Sequence, residues 1–176
     1  MQLANTRGAE SAGLAKWIGS PGVTAAALEA SLPKMADATD IEGARHRERQ
    51  LEAIAAVRPL SASTWLALAG LRLVTGAPRQ QVLGALAMSS IAGPNEGRVM
   101  WQRGVFGLLQ WEELPQDARQ RTITDLSGAL GTSIEDPNLS PAKNILSEKP
   151  AETRQDIAAL LRSSGVPASE ISRLGL

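Results

Sequence analysis

Prolines and tryptophans recur along this chain at a nearly fixed interval. Pro59 and Pro94 stand 35 residues apart, and Trp65 and Trp101 stand 36 apart. Each proline closes one apolar stretch, and a tryptophan follows within the next. Proline lacks an N–H donor and disfavours helical geometry in the residue before it, so helices tend to end at or just ahead of it. The repeating unit is therefore helix, short turn, helix. A unit of this size cannot bury its apolar face alone and needs a neighbour stacked upon it.

The remaining helices follow from the same punctuation. Residues 1–38 read as an arm with short helical stretches at 13–19 and 24–32. Thr39 or Asp40 caps a longer helix that runs to about Arg58, with Ile41, Ala44, Leu51, Ile54 and Ala55 on one stripe. Arg45 to Gln50 (RHRERQ) take its solvent side, and Arg45–Glu48 and Arg49–Glu52 are spaced to pair. Ser61 or Ser63 caps a helix over 64–75, with Gly76 just past its end. That helix is apolar nearly all round, Arg72 being its only charge, so it belongs in the middle of the fold. Pro78 opens a helix that carries Val82, Leu83, Leu86, Ala87 and Ile91. Pro94 opens another, to about Gln110. Its Gly97, Gly104 and Gly107 each cost roughly 1 kcal/mol against alanine, which close approach of a neighbouring backbone would explain.

Pro115 opens an amphipathic helix to about Leu130, with Ala118, Ile123, Leu126 and Leu130 inward. Residues 131–149 read as a turn-rich connector, broken at Asp136-Pro137 and Ser140-Pro141, with one helical turn over 142–146. Pro150 opens a helix with Ile157, Leu160 and Leu161 and Gly165 at its end; a short terminal helix spans 167–174. No stretch alternates with a strand's period of two. The expected fold class is all-α: a compact bundle of stacked antiparallel helical hairpins. Its parts are the arm (1–38), a hairpin core (39–130), the connector (131–149) and C-terminal helices packing on the core (150–176).

On these residues the chain resembles the tetratricopeptide family. Trp65, Leu68, Ala69 and Gly76 stand where that family places its tryptophan, leucine, small residue and inter-helix glycine. Pro59 matches a closing proline, and Pro94 lies one residue late for the next. Pro94 to Glu96 looks like the family's junction, Gly104 matches its small residue, and Ala118 serves as the later one if two residues are inserted. The departures are Arg72 and Gly107 at the usual aromatic position and Gln81 where a small residue is usual. The resemblance covers about 44–130. It implies a concave groove for a peptide, but the corresponding positions are Ser63, Leu66, Gly70 and Leu73, too apolar for a polar clamp. The expectation is that terminal segments fill that groove. The stretch 89–104 (SSIAGPNEGRVMWQRG) is also similar to uncharacterised helical-repeat proteins associated with bacterial envelope polysaccharide production, which often carry an N-terminal membrane helix.

Several chemistries find no support in the residues. Eighteen basic side chains balance eighteen acidic ones, so net charge provides no general attraction to nucleic acid or an anionic membrane. There is no cysteine, hence no disulfide, thiolate nucleophile or Cys-based metal site. The lone histidine, His46, lies between Arg45 and Arg47, where cationic neighbours oppose the imidazolium that a Ser-His-acid triad requires. GPNEG (93–97) is a helix junction, with an anion site at the helix start as the alternative. Glu112-Glu113 and Glu135-Asp136 are adjacent acids that read as solvated, not as two carboxylates facing across a cleft. No catalytic residue, metal or cofactor is expected. An enzyme would need a pocket built from Asp, Glu, Arg and Ser alone.

The expected function is that of a non-enzymatic helical-repeat adaptor or assembly factor acting by protein–protein contact. The alternative is an accessory subunit of bacterial envelope polysaccharide synthesis or export. The expected partner-binding residues are Arg98, Arg103, Trp111 and Glu112. Trp111 is taken as an exposed anchor, and Arg98 and Arg103 as pairing with acids such as Glu96 or Glu113. Trp65 and Trp101 are expected in the core. The partner is expected to be a protein, without nucleic acid or a membrane span in this chain, and self-association stays open. The expected compartment is the cytoplasm by default, or the periplasm if a signal or anchor precedes the chain.

Overall fold

The Ser61 hydroxyl accepts from the Thr64 N–H at 3.4 Å and meets the Thr64 hydroxyl at 2.7 Å, capping the start of a helix. At the other end of that helix Gly76 adopts φ +72°, a conformation glycine enters without steric cost. The Ala77 N–H then reaches the Arg72 carbonyl at 2.8 Å, and the Gly76 N–H reaches that of Leu73 at 3.3 Å. This double closure of a helix C-terminus satisfies carbonyls that would otherwise lack partners. Gly165 repeats it at φ +82°, with Val166 bonded back to Leu161 and Gly165 to Arg162.

These caps come from a computed structural model that describes residues 41–131 and 136–176, with 136–138 as backbone only. The expected arm, its helices at 13–19 and 24–32, and the Thr39 or Asp40 cap lie outside the described residues. Among the described residues the chain is all-α, with no strand. Its helices are α1 (Ile41–Val57), α2 (Ala62–Val74), α3 (Arg79–Ala92), α4 (Gly97–Leu109), α5 (Gln116–Leu130), α6 (Asp136–Ser147), α7 (Ala151–Ser163) and α8 (Ala168–Arg173). A short 3-10 turn, Trp111–Glu113, joins α4 to α5. The chain divides into two compact units, Met1–Pro94 and Asn95–Leu176. The dividing point falls at the Pro94 junction, inside the expected 39–130 stretch.

In the first unit α1 packs on α2, and α2 on α3. Both pairs run antiparallel, as their end-to-end bonds show. Near one end the Ser89 hydroxyl of α3 donates to the Ala62 carbonyl at 2.8 Å. Near the other, Arg72 of α2 holds Glu52 at 2.9 Å and the Gln81 carbonyl at 3.0 Å, and Thr75 donates to Glu48 at 2.9 Å. The single charge on the apolar helix therefore draws Glu48 and Glu52 across to α2. The expected i,i+3 partnerships of those glutamates with Arg45 and Arg49 give way to it, and Arg45 bonds Glu42 instead.

Other side chains also depart from the expected pattern. Arg47, expected on the solvent side, is buried, while Ile41, at the helix start, is exposed. On α3 the buried positions are Val82, Ala85 and Ser89. Ile91 follows Ser89 by two residues, a turn of about 200°, and so faces solvent. Trp65 is half-buried and donates its indole N–H to the Pro59 carbonyl at 2.8 Å; Trp101 is in the core.

In the second unit α4 packs on α5 and α6, α5 on α7, and α7 on α8. Helix α4 starts at Gly97, not at Pro94, and every residue from Val99 to Leu108 is buried. Its glycines explain how. A Cβ on Gly104 would lie 2.6 Å from Leu126 Cδ2, and one on Gly107 would collide with the Thr122 side chain. These two pairs, with Met100 against Gly128 one turn further along, set α4 and α5 antiparallel at close range. On α5, Ala118, Ile123, Leu126 and Leu130 are buried as expected. Residues 136–147 depart from the expected turn-rich connector. Helix α6 runs straight through Pro141. Pro137 lies in the first turn, where its missing N–H costs nothing. Leu139, Ala142 and Leu146 recur on one face and are fully buried, which outweighs the hydrogen bond lost at Pro141.

The glycines give a contrast within one protein. Gly107→Ala and Gly104→Ala should lower unfolding free energy by about 1–3 kcal/mol through overpacking, despite the better helix propensity of alanine. Gly84→Ala, on α3 with nothing within 4 Å of the added carbon, should raise it by up to about 1 kcal/mol. Urea denaturation monitored by circular dichroism checks both signs.

Candidate functional site

The four residues expected to meet a partner do not form one surface. Arg98 near the start of α4 and Glu112 beyond its end are exposed. They are separated by most of a helix whose span from Arg98 to Leu109 is about 16 Å. Arg103 is 1% exposed and Trp111 4%.

Among the described residues Arg103 is the largest fully buried side chain. It pairs with Asp125 of α5, 22 residues away. The guanidinium grips the carboxylate with two bonds, Nε to Oδ2 at 2.9 Å and Nη2 to Oδ1 at 2.6 Å. Such a paired fork adds geometric specificity to charge. Burial pushes the Asp125 carboxyl above its ordinary value of 3.8, and the hydrogen bond and charge of Arg103 pull it only part of the way back. An acid raised in the folded state binds its proton more readily folded than unfolded. Its contribution to stability is therefore present below 3.8 and is lost as pH rises through the folded value.

Trp111 is a packing residue, not an exposed anchor. The 3-10 turn folds its ring inward, and Arg119 of α5 closes over it with the guanidinium carbon 5.5 Å from the ring centre. The same arginine donates to the Trp111 carbonyl at 3.0 Å and to that of Glu112 at 3.2 Å. Lys149, following α6, reaches Glu112 at 2.5 Å and the Leu109 carbonyl at 3.5 Å. Arg103, Trp111 and Glu112 thus fasten α4 to its neighbours. Asp125, Arg119 and Lys149 complete that fastening. Sequence spacing alone does not pair them, because they lie on separate elements.

Four large apolar side chains are exposed among the described residues; Ile41, 47% exposed, begins α1, and the other three lie elsewhere. Val57 ends α1 and is 78% exposed, Leu60 in the following turn is 79% exposed, and Ile91 near the end of α3 is 69% exposed. The bond from Ser89 to Ala62 brings the end of α3 to the start of α2, so all three belong to one end of the first unit. The opposite end carries Glu48, Arg72 and Thr75. Leu60 was legible as an apolar residue stranded between Pro59 and Ser61. Ile91 was not, since the inward face of α3 passes through Ser89.

Among the described residues no group of three or more His, Cys, Asp or Glu side chains is placed to hold a metal ion. No helix among them is long and apolar enough to cross a membrane. His46 is exposed and bonded to Gln50 at 3.1 Å. Comparison with protein-family models, with curated proteins and with solved structures finds no match.

The buried ion pair gives a double-mutant test. Arg103→Met alone leaves Asp125 without its counter-charge and should cost about 3–5 kcal/mol of stability. Arg103→Met with Asp125→Leu should recover most of that loss. Equilibrium denaturation of both variants measures the difference.

Proposed function

We propose that this protein is a non-enzymatic helical adaptor or assembly factor. It meets a protein partner through the end of its first helical unit, where Val57, Leu60 and Ile91 face solvent. The observation that carries the reading is that exposure. Single exposed apolar residues are ordinary on a monomer, but three large ones at one end of a small helical unit are the kind of patch that marks interaction sites. Antiparallel hairpins α1–α2, α2–α3 and α4–α5, with caps at Ser61 and Gly76, support a tetratricopeptide-like reading of the units. Arg98 and Glu112 remain solvent-facing polar positions on the second unit; Arg103 and Trp111 contribute from inside by holding α4 in place.

The reading is tested with Leu60→Asp/Ile91→Asp. Both positions are open to solvent, so the fold should keep its helical signal and lose no more than about 0.5 kcal/mol of stability. Recovery of the partner in crosslinked capture from host cells, or self-association in sedimentation if the partner is a second copy, should weaken about tenfold or more. Unchanged association by the folded double variant would sink the assignment of this surface.

A further inference from the structure

The turn between α1 and α2 is rigid and presents apolar surface. Helix α1 ends at Val57, and Pro59 prevents its continuation. The Ser61 N–H donates to the Arg58 carbonyl at 3.1 Å, closing a four-residue turn with proline at its second position, where the ring's fixed φ fits. Leu60 stands third in that turn, on no helical face. The indole N–H of Trp65 donates to the Pro59 carbonyl at 2.8 Å and ties the turn to the first turn of α2. Trp65 is itself half-buried, so part of its ring stays open to solvent beside the turn. The bond from Ser89 to Ala62 brings Ile91 to the same end. A tryptophan held in one orientation therefore joins Val57, Leu60 and Ile91, and fixed aromatic anchors of this kind carry much of the energy where a partner covers them.

The charge at this end has one sign. Arg58 lies inside the apolar run, between Val57 and Leu60, and is exposed. Residues 41–94 hold six arginines and three glutamates. All three glutamates are engaged elsewhere, Glu42 by Arg45, and Glu48 and Glu52 by Arg72. Among the described residues no carboxylate bonds Arg58, so its charge is available to a partner. A second copy of the chain answers this surface poorly. A two-fold contact sets Arg58 against Arg58. A head-to-tail contact needs an acid beside exposed apolar side chains, and Ile41, the fourth exposed one, stands alone next to a Glu42 already held by Arg45. A lone cation also gives only weak attraction to an anionic bilayer.

We propose that the occupant of this end is an acidic amphipathic helix of a partner protein, an inference that rests on the adaptor reading. The helix lays its apolar stripe on Val57, Leu60, Ile91 and the open part of the Trp65 ring, and a carboxylate at the edge of that stripe meets Arg58. Backbone chemistry favours a helix over an extended segment. An extended segment takes its main-chain hydrogen bonds from a sheet edge, and the described residues hold no strand. A helix closes its own backbone bonds and needs only side-chain contacts spaced three or four residues apart. Arginine suits the carboxylate because its planar fork carries several donors and a permanent charge. The apolar contacts supply the affinity, and Arg58 selects the partner and its register.

Amide and indole NMR titration of the intact protein tests this with two end-blocked peptides and with phosphatidylglycerol vesicles. The peptides, about 16 residues long, share one leucine stripe and carry either glutamate or lysine on its flanks. The glutamate peptide should give saturable shifts at the Leu60 and Ile91 amides and the Trp65 indole, and bind about fivefold or more tighter than the lysine peptide. Arg58→Gln should remove that preference and Arg58→Glu should reverse it, with the helical circular dichroism unchanged because the side chain is exposed. The proposal is overturned if neither peptide saturates at millimolar concentration, if the lysine peptide binds as tightly, or if Arg58→Glu leaves the preference as it was. It is also overturned if vesicles are the probe that binds, or if the protein alone forms a dimer that Leu60→Asp/Ile91→Asp dissolves. Crosslinked capture separates this inference from the reading beneath it. A partner weakened by Leu60→Asp/Ile91→Asp and indifferent to Arg58→Glu keeps the surface and rejects the acidic helix; a partner indifferent to Leu60→Asp/Ile91→Asp rejects the surface itself.

Discussion

Helices α4 and α5 approach as closely as they do because Gly104 and Gly107 place no side chain where Leu126 and Thr122 stand. The rest of the second unit depends on that approach. It brings Arg103 within bonding distance of Asp125, and without it an arginine in this position would be a buried charge with no carboxylate opposite it. Closeness and charge pairing are thus mutually dependent. The glycines weaken the isolated helix, and the packing they permit more than offsets it. Thr122 is stiff at its branched carbon and tied to the Ala118 carbonyl, so it cannot swing aside to accept a larger neighbour.

The first unit is held by a different economy of charge. Arg72 is alone on a helix that is otherwise apolar, and it collects Glu48, Glu52 and a backbone carbonyl of α3. One cation therefore reaches α1, α2 and α3 at the end opposite Val57, Leu60 and Ile91. One end of these helices is bonded internally through Arg72, and the other carries three of the four large apolar side chains exposed among the described residues. That asymmetry, more than any single side chain, is why the interaction proposal falls on Val57, Leu60 and Ile91.

The corner between α4 and α5 shows how a residue can suggest function by sequence and serve structure in space. A tryptophan beside two glutamates at a helix end has the composition of an interface anchor. Here Arg119 covers the ring and bonds the backbone on both sides of the corner, while Lys149 neutralises Glu112. The aromatic ring, the cation and the acid satisfy one another within the chain.

The sequence by itself determined the helical class, the prolines and glycines that bound most helices, the buried faces of α4 and α5, and the reason for Gly104 and Gly107. These are local properties, since capping and periodicity act over a few residues. Only the tertiary structure decided the partner of Arg103, the burial of Trp111 and Arg47, the exposure of Ile91, and the continuation of α6 through Pro141. Each of those depends on what lies across from the residue in space. A helix can carry a proline where Leu139, Ala142 and Leu146 find a buried site to fill, and an arginine can enter the core where an aspartate 22 residues away meets it.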